Sequence, residues 1–94
     1  MIELNETNFS EETKDGLVLV DFFTSTCPPC RMLAPILEQV ENIKVVKVNA
    51  ADNQDLAVEF GISAVPTLVY LRDGIEIHRS MGLQKREDLQ AEIN

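Results

Sequence analysis

The sequence of 94 residues contains no tryptophan, one histidine and two cysteines. A zinc site needs about four ligands, and Cys27, Cys30 and His78 provide three at most. A metal centre would need a second chain or several carboxylates, so none is expected. His78 is expected on the surface, because it lies on a strand predicted at the sheet edge. With 45% hydrophobic residues, the chain can form a core without a scaffold of disulfides.

Basic residues are also scarce, and the formal net charge is −8. This charge and the lack of a basic cluster argue against nucleic acid as a partner. The acidic residues are expected as solvated surface, or as a surface for basic partners. No apolar run approaches the roughly 18 residues of a membrane span, so no membrane partner is expected. The N-terminus has neither the basic start nor the apolar centre of a signal peptide, which predicts a cytoplasmic protein.

The stretch from Val18 to Met32 organises the chain. It begins with an apolar run that is typical of a strand buried on both faces. Two cysteines follow, Cys27 and Cys30, and apolar residues then recur at the spacing of a helix. Cys27 is therefore predicted at the N-terminus of that helix, where unpaired N–H groups and the helix dipole favour a thiolate.

The whole chain predicts an α/β fold in the order β-α-β-α-β-α-β-β-α, with residues 1–94 forming one domain. Strands are expected over 2–4, 17–23, 43–49, 67–72 and 75–80, and helices over about 9–14, 28–41, 54–60 and 85–93. The first strands are joined by crossovers and pair in parallel, whereas the last two form an antiparallel hairpin. The predicted sheet is therefore mixed and has helices on both faces.

Local signals mark the ends of these elements. Asn8 and Glu11 have the spacing of a capping box for the first helix, and Asp52 or Asn53 is expected to cap the third. Pro35 is expected to kink the second helix. The third helix is expected to end at Gly61, and the turn of the hairpin is assigned to Asp73-Gly74.

Cys27 and Cys30 are predicted to form a redox pair. Cys27 is the expected nucleophile because it lies at the helix edge, where its thiolate should be stabilised and exposed. Cys30 lies one turn further in and is the expected resolving thiol, which attacks the mixed disulfide at Cys27. A metal half-site and two inert buried cysteines are the alternatives. The ligand count disfavours the first, and the Pro-Pro dipeptide between the cysteines disfavours the second.

Asp21 is the second candidate for chemistry, because it shares a strand face with the apolar residues Leu19 and Phe23. Burial of a carboxyl group raises its pKa. A carboxyl of raised pKa near a dithiol can accept the proton of the resolving thiol of Cys30. The alternative is a buried charge pair that only tunes stability.

These residues resemble the thioredoxin family over nearly the whole chain. The matching pieces are Val20-Asp21-Phe22, Cys27-Pro28-Pro29-Cys30, Ala34-Pro35, Lys47-Val48-Asn49, Val65-Pro66-Thr67, Asp73-Gly74 and Met81-Gly82. The Cys-x-x-Cys spacing alone is weak, since zinc sites share it, but the later Val-Pro-Thr strand start and hairpin make it specific. The resemblance implies the thioredoxin fold, with a central mixed five-stranded sheet flanked by about four helices and strand 17–23 in the middle.

The resemblance also implies a complete site. It gives Cys27, Cys30 and Asp21 the roles stated above and adds Lys47, which tunes Asp21. It implies that Pro66 is cis and faces Cys27 across a substrate groove. The backbone of Val65 would then bind a substrate peptide as an added strand. The other groove residues are Thr26, Pro28, Pro29, Ala64, Met81 and Gly82, whose alternative role is ordinary turn formation and packing.

Three positions depart from the family pattern. Thr26 and Phe23 stand where thioredoxins usually carry tryptophan, and Pro28 stands where they usually carry glycine. Thr26 removes a large apolar contact beside the nucleophile. Pro28 removes a backbone N–H near the sulfur of Cys27, which should weaken the stabilisation of its thiolate, and it stiffens the loop.

Together these observations predict a thioredoxin-like protein-disulfide oxidoreductase that acts as a reductant by dithiol–disulfide exchange. The expected substrates are proteins with disulfides, the expected electron donor is a thioredoxin-reductase-type flavoenzyme, and the expected state is a monomer. No cofactor is expected, because the sequence has no Gly-rich phosphate loop. Two alternatives stay open. One is an oxidant or isomerase of the same fold, which a signal peptide in the full gene would favour. The other is a non-catalytic binding module.

Overall fold

A computed structural model describes residues 1–94 and has the predicted order of elements. The strands are β1 (Ile2–Leu4), β2 (Leu17–Phe23), β3 (Lys44–Asn49), β4 (Thr67–Arg72) and β5 (Ile75–Met81), and the helices are α1 (Phe9–Thr13), α2 (Pro28–Leu37), α3 (Gln54–Glu59) and α4 (Arg86–Ile93). None of these helices is long and apolar enough to cross a membrane.

The five strands form one mixed sheet in the order β1-β3-β2-β4-β5. β3 pairs in parallel with β1 and β2, whereas β4 pairs antiparallel with β2 and β5. The central position of β2 is confirmed. Because β2 is paired on both sides, its carboxyl end is fixed, and the loop 24–27 that leads to α2 starts from a fixed point.

One face of the sheet packs against α1 and α3. Alternate side chains of β2 point to this face, because successive residues of a strand project in opposite directions. Val18, Val20 and Phe22 join Phe9 of α1 and Leu56 of α3 in one buried cluster. We call this side the α1–α3 face.

The other residues of β2 point to the opposite side of the sheet, the α2–α4 face. Leu19 packs there in a second buried cluster with Leu33 and Leu37 of α2 and Leu89 of α4. Asp21 follows Leu19 in the same alternation. The predicted strand face is therefore confirmed, and Asp21 points toward the helix that carries the cysteines.

The capping box predicted at Asn8 and Glu11 is wrong. Asn8 makes no side-chain hydrogen bond to α1; its Oδ1 accepts the N–H of Asn5 at 2.9 Å. Oδ1 of Asn5 accepts the N–H groups of Thr7 at 2.8 Å and of Asn8 at 3.2 Å. Glu11 instead pairs with Lys14 at 3.1 Å. Asn5 thus caps the turn that precedes α1, and Asn8 is used in the same turn instead of capping the helix.

Helix α2 ends at Leu37 rather than near Glu41 as predicted. The chain then tightens, because Gln39 N–H donates to Ile36 O at 3.0 Å and Val40 N–H donates to Leu37 O at 3.4 Å. These are three-residue turns, which commonly close an α-helix. Val40 still packs against the core of the α2–α4 face, which explains why its spacing imitates a longer helix.

Helix α3 follows Asn53 and ends before Gly61, which confirms both predicted boundaries. Asn53 does not cap α3 with its side chain, because its Oδ1 accepts the N–H of Glu6 at 3.2 Å and its Nδ2 donates to Asn49 O at 3.0 Å. Glu6 supplies an acceptor instead, since its Oε1 takes the N–H of Asp55 at 3.2 Å. Gly61 has a φ of +64°, the left-handed conformation that ends many helices.

The hairpin turn at Asp73-Gly74 is confirmed. Both residues have positive φ, 52° and 82°, as the favoured two-residue hairpin turns require. Oδ1 of Asp73 also accepts the N–H of Gly16 at 2.7 Å, which ties the turn to the start of β2. His78 lies exposed on the edge strand β5, as predicted, with its Nε2 3.2 Å from Glu92 of α4.

Candidate active site

The cysteine pair lies at the N-terminus of α2. Cys27 occupies the N-cap position and is joined to Cys30 by a disulfide, with a Cα–Cα distance of 5.2 Å. The N–H of Cys30 donates to Sγ of Cys27 at 3.2 Å. The predicted position at a helix start is confirmed, and one free N–H of the first helical turn points at the sulfur.

The two prolines limit the number of such donors. Pro28 and Pro29 fill the first two positions of α2, and neither residue has a backbone N–H. The N–H of Arg31 donates to the carbonyl of Cys27 at 3.2 Å. Within the first turn, the N–H of Cys30 is thus the amide that faces the sulfur. Pro35 lies inside the same helix, and the kink expected there stays a prediction.

The expected exposure of Cys27 is wrong for the disulfide form. Cys27 is only 7% exposed and Cys30 4% exposed. Sγ of Cys27 is turned toward the helix, where it accepts the N–H of Cys30. Thr26, Pro28 and Pro29 are exposed beside it. The sulfur pair therefore lies under a rim of exposed side chains rather than on the surface itself.

Asp21 is buried without a complete set of partners. It is 2% exposed, and its Oδ1 has no hydrogen-bond partner. Burial raises the pKa of Asp21 from 3.8 to about 6, and the positive charge of Lys47 lowers it by less. The buried carboxyl expected from the sequence is present, and it changes charge close to neutral pH.

Lys47 lies directly opposite Asp21, because these two residues are partners in the β2–β3 register. Its Nζ lies over the ring of Phe23, 5.5 Å from the ring centroid. A cation above an aromatic face is held by the ring quadrupole. Phe23, which stands where the family usually has tryptophan, thus helps to place the charge that faces Asp21.

A pocket of about 140 Å³ connects these groups on the α2–α4 face. It is lined by Asp21, Phe23, Thr24, Ser25, Cys30, Arg31, Ala34 and Lys47. This volume is large enough for several water molecules. The carboxyl of Asp21 and the side chain of Cys30 therefore border the same pocket. No group of three or more histidine, cysteine or carboxylate side chains is arranged to hold a metal ion.

Sequence reasoning missed Arg31 and Ser25, both of which line this pocket. Nη1 of Arg31 donates to the carbonyl of Ser25 at 3.1 Å. This contact ties α2 to the loop that leads into Cys27. A signal was available, because a charged side chain that directly follows Cys30 in a helix must lie close to the pair.

The segment before β4 carries the predicted cis peptide, Val65–Pro66. The Gly82 N–H donates to Pro66 O at 2.9 Å, and Oγ1 of Thr67 donates to Ala64 O at 2.7 Å. The N–H and carbonyl of Val65 make no hydrogen bond within the chain. Two free backbone groups therefore stand between fixed neighbours, as expected from the sequence.

The sheet register brings this segment to the cysteine end of the molecule. Phe22 near the end of β2 pairs with Thr67, the first residue of β4, and Thr67 pairs with Met81, the last residue of β5. Met81 is 63% exposed and Met32 of α2 is 59% exposed. Met32 thus lies on the surface and not in the core. The contact expected between Pro66 and Cys27 stays a prediction.

The geometry agrees with comparisons to known proteins. The thioredoxin family model matches residues 1–94. The chain is 36% identical to a thioredoxin of Bacillus subtilis (strain 168), over 100% of this chain and 95% of that protein. It is 41% identical to a thioredoxin of Chlamydia caviae, over 93% of this chain and 89% of that protein. A solved structure of a mutant thioredoxin from Halobacterium salinarum NRC-1 superposes with a TM-score of 0.90 at 32% identity, covering 98% and 86% of the two chains.

The chain belongs to the thioredoxin family. Its fold is the thioredoxin fold, as predicted. Membership and the Cys-x-x-Cys pair make it a protein-disulfide oxidoreductase that reduces disulfides by dithiol–disulfide exchange. The family match alone does not assign a role to each residue of the site.

Proposed function

We propose that Cys27 is the nucleophile and Cys30 the resolving thiol, so that the Cys-Pro-Pro-Cys segment is the active site. The observation that carries this assignment is the N–H of Cys30, which lies 3.2 Å from Sγ of Cys27 at the start of α2. A backbone donor and a helix N-terminus stabilise a thiolate. The same stabilisation is not available to Cys30, which lies one turn inside the helix.

The reaction proceeds by two exchanges. The thiolate of Cys27 attacks one sulfur of a substrate disulfide, breaks that bond and releases the first substrate thiolate. Cys30 then loses its proton and attacks Sγ of Cys27 in the mixed disulfide. This step releases the second substrate thiolate and forms the Cys27–Cys30 disulfide. Two electrons pass from the dithiol to the substrate.

Asp21 accepts the proton of Cys30. Both groups border the same pocket, and the pKa of Asp21 near 6 leaves it mostly ionised at neutral pH yet able to take up a proton. General bases work best when their pKa lies near the operating pH. The pocket that both groups border is the proposed route for the proton.

Lys47 adjusts the pKa of Asp21. It faces Asp21 from the neighbouring strand β3, and its charge lowers the pKa that burial of the carboxyl raises. Without this charge, Asp21 would hold its proton to higher pH and would be a poorer acceptor at neutral pH.

A substrate peptide binds along the segment 64–66 as an added strand. The free N–H and carbonyl of Val65 supply the main-chain hydrogen bonds of this pairing. The other groove residues, which share the cysteine end of the sheet, are Thr26, Pro28, Pro29, Ala64, Pro66, Met81 and Gly82. The small side chain of Thr26 admits partners that a tryptophan at this position would exclude.

The direction of transfer is that of a reductant. A strong disulfide oxidant depends on a well stabilised reduced form, whereas Pro28 and Pro29 leave the sulfur of Cys27 with a single facing amide in the first turn. This scarcity of donors favours the reductant over an oxidant or isomerase. The proposed electron donor is a thioredoxin-reductase-type flavoenzyme.

We further propose that residues 1–94 act as one domain and as a monomer in the cytoplasm. Light scattering is expected to give a mass near 10.5 kDa, and cell fractionation is expected to recover the protein with cytosolic markers. A dimer in solution, or recovery with the membrane fraction, would contradict this part of the proposal.

The roles of the two cysteines are tested by one pair of variants. In Cys27→Ser, reduction of insulin disulfides is expected to fall to the level of the buffer, because the attacking thiolate is gone. In Cys30→Ser, mixed disulfides with substrate are expected to accumulate, because nothing resolves them. Non-reducing electrophoresis and mass spectrometry detect the adducts, and each variant is the matched control for the other. Adducts that form on Cys27→Ser and not on Cys30→Ser would reverse the assignment.

A further inference from the structure

The edge strand β5 contains a β-bulge. Its pairing with β4 shifts register, so that Tyr70 faces His78 while Leu71 faces Glu76, and Ile77 is the extra residue. In a regular strand, side chains three positions apart point to opposite faces. The extra residue at Ile77 instead brings Glu76 and Arg79 to the same side of the sheet, the α1–α3 face.

This placement lets Arg79 make three hydrogen bonds. Its Nε donates to Oε2 of Glu76 at 2.8 Å, and its Nη2 donates to Oε1 of Glu76 at 2.9 Å. Nη2 also donates to the carbonyl of Phe60 at 2.7 Å. The carboxylate holds the planar guanidinium at two points, so that a third N–H is aimed at one backbone oxygen.

Phe60 is the C-cap of α3, directly after its last residue Glu59, and the loop toward β4 begins there. Its ring packs between Phe9 and Phe22, with centroid distances of 5.5 Å and 5.4 Å. Directly after it, the N–H of Gly61 donates to Val58 O at 3.0 Å and that of Ile62 donates to Ala57 O at 2.8 Å. This is the paired hydrogen-bond pattern that sets the direction in which a chain leaves a helix.

The loop 61–66 is therefore held at both ends. At the β4 end, Thr67 and Gly82 bond to the carbonyls of Ala64 and Pro66. At the α3 end, Arg79 bonds to the carbonyl of Phe60. Val65 lies between these two anchors with its backbone N–H and carbonyl free.

We propose that the Glu76–Arg79 pair is a positioning element for substrate, which fixes the loop 61–66 so that Val65 presents its backbone to a substrate strand. Arg79 touches neither substrate nor sulfur and acts through Phe60. Side chains of the pair are about a third exposed, and such pairs contribute little to stability. The inference rests on the proposed role of Val65 in substrate binding. Its effect is expected in substrate affinity rather than in the chemistry of the cysteines.

The test compares Arg79→Gln, Arg79→Lys and Glu76→Gln with wild type. Arg72→Gln is the matched control, because Arg72 is an exposed arginine of the same hairpin that makes no side-chain hydrogen bond or ion pair. Initial rates of reduction are measured with insulin, a protein substrate, and with 5,5′-dithiobis(2-nitrobenzoate), a small disulfide without a peptide chain. Circular dichroism verifies that each variant is folded.

In Arg79→Gln, KM for insulin is expected to rise about fivefold, the effect of one lost hydrogen bond, with kcat for insulin changed less than twofold. In Arg79→Lys, the rise in KM for insulin is expected to be intermediate, because lysine keeps the positive charge but lacks the forked N–H donors of arginine. In Glu76→Gln, KM for insulin is also expected to rise. The rate with the small disulfide is expected to change less than twofold in all of them.

A KM for insulin in Arg79→Gln that matches Arg72→Gln would overturn the inference. Equal losses with insulin and with the small disulfide would also overturn it, because they would indicate a general structural defect. If Arg79→Gln does not fold, Arg79→Lys and Glu76→Gln decide by the same criteria. A wild-type protein that reduces neither substrate would overturn the proposed function itself, which is a separate outcome.

Discussion

The two faces of the central sheet differ in the polarity of their buried side chains. The α1–α3 face is an apolar core in which Phe9, Phe22 and Phe60 pack ring against ring. The α2–α4 face contains the disulfide, the pocket and both buried side-chain oxygens that lack a hydrogen-bond partner, those of Asp21 and Tyr70. Unpaired buried polar groups cost stability. Both faces stabilise the fold with buried apolar side chains, but the α2–α4 face gives up part of that stability for the polar groups to which we assign the chemistry.

The largest effect on this contrast is expected from a substitution that removes a large side chain from the α1–α3 face. Phe22 is fully buried and contacts the ring of Phe60. The variant Phe22→Ala is expected to lose about 4 kcal/mol of unfolding free energy, because it leaves a cavity in the core. Urea denaturation at pH 7 measures the loss. The reduction potential of the Cys27–Cys30 couple should stay within experimental error in the fraction that remains folded.

A small loss of stability in Phe22→Ala together with a large change in potential would contradict the separation of roles. It would mean that the α1–α3 face also tunes the sulfur chemistry.

On the other face, removing the buried charge is expected to stabilise the protein. Asp21 has a pKa of about 6 in the folded protein against 3.8 ordinarily, so the folded state binds its proton more tightly. Its contribution to stability is full below about pH 4 and is lost as pH rises through about 6. The variant Asp21→Asn does not titrate and is expected to be more stable than wild type by about 3 kcal/mol at pH 8. The advantage should vanish below pH 4, and urea denaturation across this range measures it.

The same variant should lose catalytic power. Without a proton acceptor, the resolving attack of Cys30 is expected to slow by about 10²-fold, and its rise with pH through about 6 should disappear. Stopped-flow measurement of the decay of a mixed disulfide gives this rate. An Asp21→Asn protein that is less stable than wild type at pH 8, or that resolves the mixed disulfide at the wild-type rate, would contradict the account of this face.

The sequence predicts the fold well because its signals are local and agree with each other. The apolar run of β2, the turn at Asp73-Gly74 and the helix end at Gly61 each follow from short-range chemistry. The pairing of Asp21 with Lys47 is implied by the family resemblance rather than by these local signals, because a crossover makes two strands parallel without fixing which residues face each other.

The remaining features depend on contacts between distant residues. The spacing of Val40 imitates a helix because Val40 packs into the core from a turn. The bulge at Ile77 has no signature in the sequence, because the residues from Ile75 to His78 alternate as in a regular strand. The bond from Arg79 to Phe60 depends on this bulge, and the bond from Arg31 to Ser25 depends on the shape of a loop. The burial of Cys27 depends on the orientation of its sulfur, which cannot be predicted from the sequence.

The most direct test of the central claim, that the chain reduces disulfides through Cys27 and Cys30, is the equilibrium reduction potential of this couple against a dithiothreitol or glutathione buffer. We predict a value near the roughly −270 mV of thioredoxin, as expected for a reductant whose Cys27 thiolate has one facing amide. A value at or above about −180 mV would contradict it and would indicate an oxidant or isomerase.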